Sequence, residues 1–246
     1  MITARRVYNE PGWILHHRPF RDTSQILDIL SRDHGRLAVV AKGSRGAKSR
    51  LRGILRPFLP LQLSWVIRSD LGTLTGAEMN GAPISLGGDA LISGYYVNEL
   101  ILKLTHRHDP QPDIFKAYGQ TIERLVGSTE VAPSLRRFEI ELLRMLGYAL
   151  NLDHDTDKRQ PLRAEQQYEY LVEEGPVPVS DDRRDEPMVF SGAELTAIRK
   201  QQFADRAVLK KAGNLLRRVI AYHLDGKPLQ SRKVLAEMLR SMERES

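Results

Sequence analysis

The densest chemistry in the chain lies in Ala41-Lys42-Gly43-Ser44-Arg45-Gly46-Ala47-Lys48-Ser49-Arg50, where glycines and serines separate four cations. A glycine-containing loop leaves backbone amides open beside flexible positive side chains, a combination suited to phosphate oxygens. The loop belongs to a longer basic stretch. Arg36, Lys42, Arg45, Lys48, Arg50, Arg52 and Arg56 stand between positions 36 and 56 with no acidic residue among them. Crowded like charges cost stability unless something neutralises them, so these seven residues point to a polyanion, against the alternative of a solvated charged loop. Phe20, after Pro19, and Phe58, after Pro57, could stack on bases or belong to the core.

Catalysis finds less support. The chain has no cysteine, which excludes thiolate nucleophiles, thiolate metal sites and disulfides. P-loop, GxGxxG and GxSxG elements are absent. His106, His108 and Asp109 are similar to the start of an HxHxDH metal motif, but the final histidine is missing and Pro110 follows. His154 among Asp153, Asp155 and Asp157 could offer a hard cation its oxygens, without the glycine and terminal glutamate of an EF-hand. His16 and His17 are neighbours in a strand, so one should face inward and one outward. With no acid, base and nucleophile converging, no catalytic residue, no metal site and no cofactor is expected.

The elements that must position the basic loop are strands. Trp13 to Arg18, Ile26 to Ser31, Arg36 to Ala41, Leu61 to Arg68 and Leu71 to Glu78 are short apolar runs separated by turn residues. Leu61, Leu63, Trp65 and Ile67 alternate with Gln62, Ser64, Val66 and Arg68, placing the apolar set, Trp65 included, on the core face of a sheet. Five strands in so short a segment predict a small closed barrel of the OB type. From position 89 the period becomes helical: Leu91, Ile92, Tyr95, Tyr96, Leu100 and Leu104, then Ile114, Phe115, Tyr118, Ile122, Leu125 and Val126. A third helix is expected from about Pro133 to Leu150. Residues 151 to 190 interrupt the pattern with prolines and acidic pairs, with a possible hairpin of Tyr168 to Val172 and Pro176 to Val179. Ser191 and Glu194 match a capping box, and further helices are expected over Asp205 to Leu224 and Ser231 to Met242. The fold class is therefore α+β: an OB-fold nucleic-acid-binding domain over 1 to 84, then a mostly helical domain over 85 to 246 with an irregular, zinc-less excursion at 151 to 190.

The 246 residues are 41% apolar, enough for a core, and carry a net charge of +6. That figure conceals segregation: residues 1 to 84 are +7, 85 to 150 are −1, 151 to 190 are −6 and 191 to 246 are +6. The longest apolar run, Leu37 to Ala41, falls far short of the roughly 20 residues a membrane span needs, and nothing after Met1 is similar to a signal peptide. A cytoplasmic protein without a membrane partner is expected.

Several pieces together resemble the RecO family of bacterial recombination mediators. They are Arg18-Pro19-Phe20 with Asp22-Thr23-Ser24, Val40-Ala41-Lys42-Gly43 with Arg45, Leu55 to Phe58, and Asn98-Glu99-Leu100. Leu135-Arg136-Arg137-Phe138-Glu139 with Leu146-Gly147-Tyr148, and Gly226-Lys227-Pro228-Leu229 with Ser231-Arg232, extend the resemblance over almost the whole chain. The resemblance implies a non-enzymatic protein that binds single- and double-stranded DNA and anneals complementary strands. It also implies work with RecR to load RecA, an indirect partner, onto DNA coated by single-strand-binding protein. The basic stretch from Lys42 to Arg56 would take the DNA position. Arg136, with Arg137 and Leu146 behind it, would meet the acidic tail of single-strand-binding protein, or else serve helix packing and surface charge. A monomer in the cytoplasm, associated with the nucleoid, is expected. Many family members carry cysteines and zinc after the LGY element; Leu152 to Gln160 offers His154 and aspartates instead, so that site is not carried over. The alternative is an RNA-binding or ribosome-associated OB protein, for which stacking on Phe20 and Phe58 would matter more. A second basic surface is expected at Lys210, Lys211, Arg217 and Arg218.

Overall fold

The computed structural model describes residues 5 to 128 and 131 to 234. Five strands, β1 (Arg5–Phe20), β2 (Ser24–Ser31), β3 (Gly35–Ala41), β4 (Leu61–Ile67) and β5 (Leu71–Met79), close into a barrel in the order β1-β2-β3-β5-β4. All neighbours are antiparallel except β3 and β5, which run parallel through Ala38↔Leu71 to Val40↔Thr73. This is the OB arrangement expected from the strand pattern. The alternation places Ile14, Leu27, Ile29, Leu37, Val39, Leu61, Leu63 and Trp65 inside, each with almost no exposed surface. Trp65 is core, as its alternating partners required.

The first strand is much longer than its Trp13 to Arg18 core. It pairs with β4 through Arg5 to Gly12 and with β2 through Gly12 to Phe20, so one strand closes the barrel on both sides. Register shifts between Val7 and Glu10 and between Ile14 and His16 bend it enough to do so. Gly12, at the changeover, has no room for a side chain: a Cβ there would stand 2.7 Å from Leu63 Cδ1. The second shift also corrects the expectation for the histidine pair. Alternation is broken just before His16, and both His16 and His17 are exposed.

Two helices, α1 (Gly88–Leu104) and α2 (Pro112–Leu125), cover the outer side of β1. Trp13 meets Tyr118 edge-on at 5.3 Å, while Asn98 donates to the Leu15 carbonyl at 2.7 Å and accepts from the Tyr118 hydroxyl at 2.8 Å. That buried chain of bonds ties strand and both helices together, and burial pushes the Tyr118 phenol up. The barrel, these helices and the segment from Leu229 form one compact unit. The last helix expected, Ser231 to Met242, is helical from 230 to 234, and its remainder lies outside the described residues.

A second compact unit spans Glu130–Pro228. Its helices are α3 (Val131–Met145), α4 (Gly192–Arg199) and α5 (Arg206–His223), and its sheet has the order β7-β6-β8 from β6 (Gln167–Leu171), β7 (Gly175–Val179) and β8 (Val189–Ser191). The hairpin read from the sequence is β6 and β7. The third strand adds order the acidic composition concealed: Tyr168, Tyr170, Val189 and Phe190 are buried while Glu169 and its charged neighbours keep to the rim. The Ser191 hydroxyl accepts from the Glu194 amide and the Glu194 carboxylate accepts from the Ser191 amide, completing the capping box. Among the described residues no helix is long and apolar enough to cross a membrane.

Candidate nucleic-acid interface

The glycine-containing basic loop is a folded cap on the barrel. After β3 the Ser44 hydroxyl donates back to the Ala41 carbonyl at 2.9 Å, and Gly43 takes a left-handed φ of 66°. Tight turns follow in series: Gly46 N to Gly43 O at 3.1 Å, Ser49 N to Gly46 O at 3.0 Å, and Leu55 N to Leu51 O at 3.1 Å. Arg45 N donates to Thr23 O at 2.8 Å, fixing the loop against the turn between β1 and β2. Leu55 and Leu59 are buried in the barrel core, with Leu51 and Ile54 packed against it. Apolar residues at 51, 54, 55 and 59 therefore point in, and the cations between them have only solvent to face.

Six of the seven predicted DNA-contacting residues share this surface. Lys42, Arg45, Lys48, Arg50, Arg52 and Arg56 are all exposed, and none pairs with a carboxylate among the described residues. Arg45 reaches only the carbonyl of Arg21, at 3.4 Å. The Arg21 guanidinium, outside the stretch from 36 to 56, lies 5.2 Å from the ring centre of Phe20. Phe20 packs half-buried on Ile26, Ala38 and Val40, leaving an aromatic edge next to the loop.

Arg36 stands apart. Its guanidinium donates to the Thr105 carbonyl at 2.8 Å and to the Thr105 hydroxyl at 3.3 Å. Burial and the neighbouring Arg107 lower its pKa, with Asp28 opposing them. Its charge is engaged in attaching the segment after α1 to β3.

Phe58 is not a stacking platform. It is 5% exposed, meets Tyr95 edge-on at 5.1 Å, and presses so closely on α1 that a Cβ on Gly94 would stand 2.8 Å from its ring. Sequence could not show this, because the pocket that takes the ring belongs to a helix far along the chain.

The other predicted residues do not converge. His106 and His108 are exposed beside β3, where His108 N donates to Arg36 O. Asp153 pairs with Arg199 at 2.7 Å, and buried Asp155 accepts from the Lys158 amide at 2.6 Å, so these two carboxylates beside His154 hold a helix end and a turn. That donor set does not fit a thiolate zinc site, and no group of three or more His, Asp or Glu able to hold a metal occurs among the described residues. On α3 the Arg136 guanidinium donates to Glu139 at 2.8 Å, with side-chain exposures of 14% and 0%. Arg137 lies 5.8 Å from the Phe203 ring centre, and Leu146 is half-buried just beyond the helix. On α5, Lys210, Arg217 and Arg218 are exposed, whereas Lys211 turns inward to Glu194 and the Val189 carbonyl.

An OB-type barrel capped by an unpaired basic loop, followed by a helical region with a small sheet, defines the class of two-part proteins with an amino-terminal oligonucleotide-binding fold. Within that class, residues 5–82 match the family model for the recombination protein O N terminal region and residues 87–233 the model for its C terminal region. The chain belongs to the RecO family. It is 43% identical over 238 residues to the DNA repair protein RecO of Aromatoleum aromaticum, covering 97% of this chain and 99% of that one. The RecO proteins of Azoarcus sp. and Coxiella burnetii are each 41% identical, over 97% and 94% of this chain and 99% of theirs.

Proposed function

We propose that the chain is a non-catalytic mediator of recombinational DNA repair that binds single- and double-stranded DNA and anneals complementary strands. In this reading it works with RecR to bring RecA onto DNA covered by single-strand-binding protein. The observation that supports it is the exposed set Lys42, Arg45, Lys48, Arg50, Arg52 and Arg56, rigidly backed by the barrel and without counter-charge among the described residues. Such a surface neutralises phosphates without reading bases, which suits a protein that must accept any sequence. Exposed Lys210, Arg217 and Arg218 on α5 would hold a second strand, lowering the repulsion that keeps two strands apart. Arg136, Arg137 and Leu146 are the proposed contact for the acidic tail of single-strand-binding protein.

The test is strand annealing of complementary oligonucleotides, naked and coated with single-strand-binding protein, beside a salt titration of binding. Neutralising about five single-strand phosphates gives a log–log slope of roughly −3.5. A slope near zero, or tighter binding of RNA than of DNA in a parallel titration, would overturn the reading. So would cleavage that appears with divalent ions and vanishes in chelator.

A further inference from the structure

The carboxy-terminal end of α5 carries an aromatic surface whose rings and carboxylates the DNA-binding reading does not use, although Arg218 stands at its edge. The ring of Tyr148, in the loop after α3, lies almost parallel on that of His223, with centroids 3.9 Å apart and planes at 19°. Tyr222 meets His223 edge-on at 5.4 Å and donates its hydroxyl to Glu173 at 2.8 Å. Two adjoining pockets of about 240 and 680 Å³ share Tyr148, Glu173 and His223 in their walls. Tyr148 and Tyr222 remain 44% and 51% exposed, a concentration of aromatic surface that marks interaction sites.

The surroundings are negative. Glu173 and Asp225 line the larger pocket with Arg218, and Asp225 is already paired with Lys227 at 3.4 Å, so Glu173 is the carboxylate left for a ligand. The eighteen-residue α5 ends here, directing the negative pole of its peptide dipoles at the same place. Glu173 accepts from Tyr222 and has no cationic partner among the described residues. It holds a φ of 72° in the turn between β6 and β7, where glycine or asparagine would be unstrained. Burial lowers the pKa of the His223 imidazole, against the opposing pull of Glu173.

Ring faces beside a carboxylate attract a cation, and a planar guanidinium can stack on tyrosine while pairing with the carboxylate. A phosphodiester would instead meet the unpaired Glu173 carboxylate as a like charge. We propose that Tyr148, Tyr222, His223 and Glu173 form a pocket for an arginine side chain presented by a protein partner. Glu174, which lines the smaller pocket beside Glu173, gives a basic partner segment a second carboxylate. The inference goes beyond DNA binding and stands or falls separately from it.

The test is aromatic NMR of the full chain titrated with the peptide acetyl-Gly-Arg-Gly-amide and its uncharged citrulline counterpart. Saturable shifts at Tyr148, Tyr222 and His223 are expected with the arginine peptide alone. Glu173→Gln and Tyr148→Ala should each weaken binding by roughly 3- to 10-fold, and Tyr148→Phe should retain it. Equal binding of both peptides, unchanged affinity in Glu173→Gln, or the same shifts produced by single-stranded oligothymidylate instead would overturn the proposal. Glu173→Gln and Tyr148→Phe preserve the turn and the ring, so the outcome does not depend on the alanine variant folding.

Discussion

The Glu99 carboxylate on α1 accepts the amide of Ser231 at 2.9 Å and its hydroxyl at 2.7 Å, across 132 positions of sequence. The amide of Gln230 donates to the other oxygen at 2.8 Å. A carboxylate thus satisfies the free amides where the helical segment beginning at 230 starts, the place where backbone dipoles favour negative charge. Lys103, one turn along α1, balances Glu99 at 3.2 Å, and Arg232 donates to the Tyr96 hydroxyl at 2.8 Å. The Asn98-Glu99 pair therefore does two jobs: Asn98 joins the barrel to both helices, and Glu99 returns the carboxy-terminal segment to them.

Replacing Glu99 by Ala leaves those amides without their acceptor. The expected loss is about 2 kcal/mol in chemical denaturation, typical of bonds to a charged group. Glu99→Gln should recover part of it, since a neutral amide oxygen still accepts.

The same contact fixes a pH dependence. Burial pushes the Glu99 carboxyl up, but hydrogen bonds from the Ser231 and Gln230 amides, the Ser231 hydroxyl and Lys103 outweigh it and hold the group below its ordinary 4.5. A depressed folded-state pKa gives stability that is present above that ordinary value and disappears as pH falls through the folded one. Denaturation midpoints of the wild type and Glu99→Gln should therefore stay separated at pH 6 and converge below pH 4.5. A constant gap across that range would exclude the carboxylate as its source.

How much of this could be read from the chain depended on how far apart the interacting residues lie. The barrel was legible because Leu61, Leu63 and Trp65 show their burial as a period of two. The length of β1 was not, since the bulges after Val7 and Ile14 break the period that would reveal it. The basic surface was visible in composition, but its backing was hidden because Leu51, Ile54, Leu55 and Leu59 are scattered among cations in a stretch with no regular element. Arg36 and Arg45 look alike in sequence; only the neighbouring Thr105 carbonyl, brought in by the end of α1, separates them.

Arg136 and Glu139 form an ion pair within α3 that exposes little of either side chain. Removing one partner of such a pair leaves a charge in a poor environment, so Arg136→Ala should destabilise the chain by roughly 3 kcal/mol. Arg137→Ala, which loses a contact with the Phe203 ring, should cost about 1 kcal/mol or less. Binding of an acidic tail peptide by either variant is interpretable only beside its denaturation curve. Equal stability of the two variants would contradict the buried pair.

Leu55 is 3% exposed and anchors the basic loop in the barrel. Leu55→Ala should cost roughly 3 kcal/mol and, by loosening the cap that holds the cations, also weaken DNA binding. The two effects should appear together, with the salt slope nearly unchanged because no charge is removed.

Arg36 and the loop cations give the opposite separation. Arg36→Ala forfeits the bonds to Thr105 and should lower stability by about 1 to 2 kcal/mol, while affinity for single-stranded DNA measured well below the melting range stays near wild type. Lys42→Ala, Arg45→Ala and Lys48→Ala combined touch no buried partner and should leave stability within about 1 kcal/mol. The same triple variant should weaken binding on every sequence tried and reduce the magnitude of the salt slope by roughly 2, because each lost cation removes about 0.7 of a counterion release. If Arg36→Ala instead flattened the salt slope at full stability, the phosphate path would run along β3, and the turn-built cap between Lys42 and Arg56 would lose its place as the principal contact.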